Sequence, residues 1–257
     1  MRFRPGDVET YLNWPRTVRA VVRDGREVVL DPARGLDERV LRAILIGPVL
    51  AVLLQQRGLL VLHASCVAVG GQALVLAGGL AAGKSTLARA LLDAGFLLVA
   101  DDVTAIDFSG ARAIALPGPP GLRLKPAAAQ AAGDDPTRLP IAVPGDDKIL
   151  RSVAARQRSG AAQLEAVYIL GTGREPSVRR LSPAAAMIEL VRHSYWPEMA
   201  GPAGRRRHFE QCAELSRSVH VRRLTRTSRL ADLPRLVSLV TAAGATDLAQ
   251  AALARTR

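Results

Sequence analysis

At 257 residues, 49% of them apolar, the chain has room for one large domain or two small ones and for a sizeable core. Its formal charge of +12 is carried almost wholly by arginine, since Lys84, Lys125 and Lys148 are the only lysines. The densest basic runs, Arg205–His208 and Arg222–Arg223, lack interleaved aromatics in a chain that is only 4% aromatic, so they read as solvated faces and no nucleic-acid partner is expected. Two cysteines, Cys66 and Cys212, give neither a metal spacing nor a disulfide framework and read as small buried apolar residues of a reducing, cytoplasmic setting. The N-terminus has no apolar signal-peptide core. The longest apolar run, Ala43 to Leu54, contains Pro48 and is too short to span a bilayer.

In chain order, Thr17–Val22 and Arg26–Leu30 are strand runs around the turn signal Asp24-Gly25. Leu36 to Gln56 reads as a helix bent at Pro48. Leu59 to Val69 and Gln72 to Ala77 form a second hairpin through Gly70-Gly71, so the strand ending at Ala77 is expected to pair with the strand carrying His63. Lys84 to Ala94 is a helix stopped by Gly95, and Phe96–Ala100 is a strand ending in Asp101-Asp102. A hairpin over Val103–Phe108 and Ala111–Leu116 follows, then a rigid loop, Pro117–Gly121. It leads to Leu122-Arg123-Leu124-Lys125-Pro126, after which the pattern is polar and poorly organised to about Pro144. Gln163–Leu170 is a strand, Ser182-Pro183 opens a helix to about Ser194, and Gly204–Arg217 is a helix. Val219–Leu224 is a strand and Leu230–Ala243 the last helix. The fold class is α/β. Residues 1–57 are expected to form a small hairpin-plus-helix region, and 58–257 a catalytic domain.

Chemistry enters at Gly78-Gly79-Leu80-Ala81-Ala82-Gly83-Lys84-Ser85, a G-x-x-x-x-G-K-[ST] Walker A phosphate loop between an apolar strand and a helical run. Its backbone N–H groups, from Gly78 through Ser85 to Thr86, suit a phosphate cradle. Lys84 supplies a point charge to the β and γ phosphates, and Ser85 a hydroxyl to Mg²⁺. Asp101-Asp102 at the end of the next strand occupies the usual place of a metal ligand or catalytic base. Neighbouring carboxylates on a strand face opposite ways, so the pair is expected to divide roles. His63 is either a packed core histidine or part of the site. Lys125, Lys148 and Arg123 are weaker candidates for phosphate or substrate contact. Arg192–Trp196 is either a peptide-contacting edge or packing.

Leu62-His63-Ala64-Ser65, the phosphate loop and Leu98–Asp102 together resemble the catalytic domain of HPr kinase/phosphorylase. The lead-in Gln56-Arg57-Gly58 and the segment Pro117–Leu124 are similar to the shorter HPr-kinase-related proteins of ribosomal peptide clusters, notably lasso peptide clusters. The resemblance covers Gly58 to about Ile106 well. It implies a phosphoenolpyruvate-carboxykinase-like core with a mixed, partly antiparallel sheet, ATP and Mg²⁺ as cofactors, and an oligomer. It further implies that Asp101 is the base toward a substrate serine, with His63 nearby, and that Asp102 and Ser85 sit by the metal. The function expected on this basis is ATP-dependent phosphorylation of a hydroxyl on a peptide or small protein. A nucleotide-binding switch without transfer and a small-molecule kinase are the alternatives. The Glu-containing motif that serves phosphorolysis in the bifunctional enzymes is not found here, so the reverse reaction is not expected.

Overall fold

Four short strands open the chain and make a sheet of their own. β1 (Arg2–Arg4), β2 (Glu9–Trp14), β3 (Val18–Arg23) and β4 (Glu27–Pro32) pair in sequence order, each antiparallel to the next. β3 buries Val18, Ala20 and Val22 while Arg19 and Arg23 point to solvent, the period-two alternation of a sheet with one wet face. Asp24 and Gly25 both take positive φ in the three-residue loop between Arg23 and Glu27, a geometry that lets the tight turn follow the strand twist. β1 and β2 lie outside the expected hairpin. Their signal is the short alternation that buries Thr10 and Leu12.

The buried face of this sheet meets a kinked helical stretch. α1 (Glu38–Ile44) passes through one wide turn at Leu45–Val49 into α2 (Leu50–Gln56), with Gly47 in a non-helical conformation directly before Pro48. The proline lacks an N–H and its ring crowds the preceding turn, so the bend falls where the sequence places it. Leu12, Ala20, Val22, Val49, Val52 and Met199 form the core between the two layers.

The remainder is built on a nine-stranded mixed sheet. The elements are β5 (Leu60–Leu62), β6 (Ala64–Val69), β7 (Gln72–Ala77), α3 (Lys84–Asp93), β8 (Leu97–Ala100), β9 (Thr104–Asp107), β10 (Ile114–Ala115), β11 (Gly121–Leu124), α4 (Pro126–Ala131), β12 (Ile149–Ser152), β13 (Ala162–Thr172), β14 (Ser177–Arg180), α5 (Pro183–Arg192), α6 (Pro202–Ser218), β15 (His220–Arg226) and α7 (Leu233–Ala254). The strand order is β5-β9-β10-β13-β7-β6-β8, with β15 on β13 and β14 on β15. β13 runs parallel to β7 and β15, and every other pairing is antiparallel. β8 and β9 are joined by three residues yet stand near opposite ends of this order, so the sheet curls. That curl turns Asp101 and Asp102 toward the loop after β7.

Both faces of β7 are covered. Ala73, Val75 and Ala77 pack toward α5 and α6, while Leu74 and Leu76 pack toward α3, α7 and β11. A strand buried on both faces reads as an unbroken apolar run, which is how the sequence shows it. β11 and β12 form a separate two-stranded ribbon, and α4 begins at Pro126 in the region that lacked a pattern.

One expectation is corrected. His63 is not part of the strand paired with β7. The run from Leu59 to Val69 breaks at His63, where the chain leaves β9 as partner and takes up β7. The His63 amide donates to the His193 carbonyl at 2.8 Å, outside the sheet. The computed structural model describes the backbone of residues 1–254 and side chains of 1–243, so the last three positions of the 58–257 region lie outside the described residues. No described helix is long and apolar enough to cross a membrane.

Candidate functional site

The loop between β7 and α3 wraps the N-terminus of that helix. Bonding within the helix begins with the Leu87 amide on the Gly83 carbonyl at 2.9 Å, which leaves the first-turn N–H groups of Lys84, Ser85 and Thr86 without helical partners. Gly83 precedes the helix at φ +90, and Ala81 also takes a positive φ of +59. Lys84 is only 8% exposed. Its Nζ donates to the Gly78 carbonyl at 2.9 Å and the Gly79 carbonyl at 3.2 Å, so the cation closes the loop on itself. Burial lowers the affinity of Lys84 for its proton, while Asp102 and Asp101 act to restore it. From outside, Arg226 at the end of β15 donates to the Ala82 carbonyl at 2.5 Å and the Ala81 carbonyl at 3.1 Å. An added Cβ at Gly83 would lie 3.2 Å from the Arg226 Nε, in a left-handed conformation. Gly83→Ala is therefore expected to cost about 1–2 kcal/mol in thermal unfolding.

The two carboxylates that follow β8 face different partners. Asp101 accepts from the Ser65 hydroxyl at 2.5 Å, from the Ser85 hydroxyl at 3.0 and 3.1 Å, and from the Arg123 amide at 3.2 Å. Asp102, at φ +70, lies 3.1 Å from His63 Nδ1 and 3.5 Å from the Arg123 guanidinium. Arg123 continues to Asp146 at 2.9 Å. The left-handed backbone at Asp102 costs about 1 kcal/mol and aims the second carboxylate away from the first.

Their proton affinities separate accordingly. Burial pushes the Asp101 carboxyl up, helped by the neighbouring Asp102 charge and only partly offset by Ser65, Arg123 and Ser85. Burial also acts to raise Asp102, but the His63 hydrogen bond and the charges of His63, Arg123 and Lys148 outweigh it and leave that carboxyl below its ordinary value. Two titratable neighbours driven apart in this way mark a site with divided roles.

A consequence can be measured in the ligand-free protein. A folded carboxyl with a raised pKa holds its proton more tightly than the unfolded chain does. Stability is then lost as pH rises from the ordinary carboxylate value through the folded one. Asp101→Asn removes that titration. The stability of the variant minus that of the parent should therefore increase across this window and level off above it, as followed by denaturant melts over pH.

Around these groups lies a cavity of about 250 Å³, lined by the loop from Leu80 to Thr86, Asp101, Asp102, His63, Arg123, Lys148, Lys125 and Tyr195. It brings together every expected site residue except Gly78 and Gly79, which lie at the foot of the loop beneath Lys84. Lys125 is paired with Asp147 at 3.3 Å. Three participants carried no sequence signal as site residues. Ser65 is fully buried in an apolar strand, where a hydroxyl needs a partner, and that is the one trace it leaves. Arg226 is separated from the loop by 144 positions, and Asp146 sits just past the poorly patterned region, two residues before Lys148.

The Arg192–Trp196 cluster packs against the site. Tyr195 meets His63 edge-on at 5.6 Å and Trp196 at 5.3 Å, and Arg192 pairs with Glu189. The basic runs are not wholly solvated either. Arg223 bonds Glu189 at 2.6 Å, and His208 lies 2.6 Å from the Ser194 hydroxyl. Cys66 and Cys212 are free and buried, and burial pushes the Cys212 thiol up to about 12.

No family model matches the sequence, and no curated protein does. Among solved structures the chain is similar to the Hpr(Ser) kinase/phosphatase from Coxiella burnetii, at 11% identity and a TM-score of 0.44. The match covers 77% of this chain and 98% of that one.

Proposed function

We propose that the protein is an ATP-dependent kinase that phosphorylates a hydroxyl of a peptide or small protein. The observation that carries this reading is the convergence, in one cavity, of a phosphate loop with two carboxylates whose contacts differ: Asp101 against Ser85, and Asp102 against His63. A nucleotide switch needs the first arrangement. A hydroxyl kinase needs both.

Lys84 and the amides of the loop and first helical turn would bind the β and γ phosphates. Ser85 and Asp101 fit Mg²⁺. They converge as one hydroxyl and one buried carboxylate, the sparse protein contribution that this ion accepts when phosphates and waters complete its shell. Among the described residues no cluster of three or more His, Cys, Asp or Glu offers a fuller cage. When bound, the ion would neutralise charge on the phosphates.

This reading moves the base from Asp101, where the resemblance put it, to Asp102. Asp102 is ionised more readily and is held in place by His63 Nδ1 at 3.1 Å. In the transfer step the acceptor oxygen bonds the γ-phosphorus, the bond from that phosphorus to the bridging oxygen breaks, and ADP leaves. The hydroxyl proton passes to the Asp102 carboxylate, which His63 Nδ1 orients. Arg123 is held by Asp102 and Asp146 beside the same cavity and would bear on charge developing on the transferring group. A ribosomally made peptide, such as a lasso peptide precursor, is the acceptor favoured by the likeness of the Leu62–Ser65 and Pro117–Leu124 segments. Incubation with γ-labelled ATP, Mg²⁺ and serine peptides tests the proposal: a phosphate ester on peptide supports it, and nucleotide binding with no labelled acceptor overturns it.

A further inference from the structure

A second cleft, of about 370 Å³, adjoins the carboxylate pair. Asp101, Asp102 and Arg123 line both spaces, so the two cavities share one wall. We infer that this cleft takes the acceptor, and that the acceptor is an acidic peptide segment whose hydroxyl residue is flanked by an aliphatic side chain. The inference rests on the kinase reading above and adds to it the class of substrate.

Position is the first ground. A hydroxyl held in this cleft lies against Asp102, which also borders the space above the phosphate loop, so acceptor and donor would meet at the same carboxylate. The walls are the second. α1 contributes Ala43, the wide turn after it contributes Ile46, and the segment after Pro140 contributes Ile141 and Val143. Ile46 and Ile141 are 41% and 49% exposed, an apolar lining left open to solvent. Among the described residues no aromatic ring lines the cleft, so a nucleobase would have no platform on which to stack. The volume falls in the range of small-ligand sites and suits a short segment better than a folded surface.

Charge at the mouth is the third ground. Arg39 and Arg42 stand on the α1 side, and among the described residues the only carboxylates lining the cleft are Asp101 and Asp102. Arg39 is already held by Asp37 at 2.7 Å. Arg42 is exposed and makes no side-chain hydrogen bond or ion pair among the described residues, so it is available to a carboxylate from outside. An acidic flank on the peptide matches this rim, and a basic one is repelled by it.

The test uses pentapeptides with a central serine next to leucine, flanked by either glutamate or lysine, with Mg²⁺ and ATP. The parent protein should favour the glutamate set by about tenfold or more in kcat/KM. Arg42→Glu should lower or invert that preference through KM. Ala43→Trp, which fills the cleft, should raise KM about tenfold for both sets. The affinity of each variant for a fluorescent ATP analogue separates a lost fold from a lost acceptor site. Equal use of both sets, unchanged preference in Arg42→Glu, or an unchanged KM in Ala43→Trp overturns the inference while leaving the kinase reading intact. If no peptide is phosphorylated, anisotropy of the labelled glutamate peptide decides. Binding lost in Ala43→Trp keeps the cleft as a peptide site and sinks the kinase reading, and absence of binding sinks the inference.

Discussion

Asp102→Asn is expected to lower phosphoryl transfer by about 10²–10⁴-fold, the range for removing a positioned general base, while nucleotide binding persists. The amide occupies the same space and still contacts His63, but it cannot accept the hydroxyl proton. Asp101→Asn should behave differently. Its carboxylate lies on the Ser85 hydroxyl, so its loss should appear as a raised Mg²⁺ requirement, with activity partly recovered at high metal concentration. Running both variants across a Mg²⁺ titration therefore separates the two roles. The division fails if Asp101→Asn abolishes transfer at every metal concentration while Asp102→Asn merely raises the metal requirement.

Lys84→Ala is expected to reduce transfer by about 10²–10³-fold, as for other preorganised charges aimed at the reacting group, and to weaken ATP binding measured by calorimetry. The unliganded geometry adds a second cost. Without the ammonium, the Gly78 and Gly79 carbonyls lose their donor, and the loop loses the contact that closes it from within. Lys84→Arg should not rescue activity, because a planar guanidinium cannot take the place of a compact ammonium in so enclosed a position. The unliganded variant should still fold, since the substitution also removes a charge whose burial is unfavourable.

Much of this site is legible in the sequence for physical reasons. The phosphate loop is a local device: its glycines, lysine and serine sit within eight positions, and the flanking apolar runs announce the strand and helix that aim it. Asp101 and Asp102 are legible because a buried strand must end where polar residues begin. The bend at Pro48 and the helix from Ser182-Pro183 follow from backbone rules that need no tertiary partner.

What escaped depends on contacts made across the fold. Which carboxylate faces Ser85 is set by the positive φ of Asp102 and the curl of the sheet, and neither has a local sequence signature. The alternation rule for a strand says that the pair divides and leaves open which way. His63 was legible as a residue near the loop, but its role at the break between β5 and β6 depends on the His193 carbonyl, 130 positions on. The acceptor side depends on α1 and the segment after Pro140 meeting over Arg123. Neither carries a motif, and the second has only short helical turns and one ribbon strand to give it a period.

The central claim is that this cavity moves a phosphoryl group to a hydroxyl instead of only holding a nucleotide. The most direct measurement follows the γ-phosphate itself, with labelled ATP, Mg²⁺ and the serine peptides, comparing the parent with Asp102→Asn. The account predicts label in a peptide phosphate ester for the parent and its loss in the variant, at similar nucleotide occupancy. Full occupancy by ATP with label that never leaves the nucleotide except to water, in parent and variant alike, would contradict it.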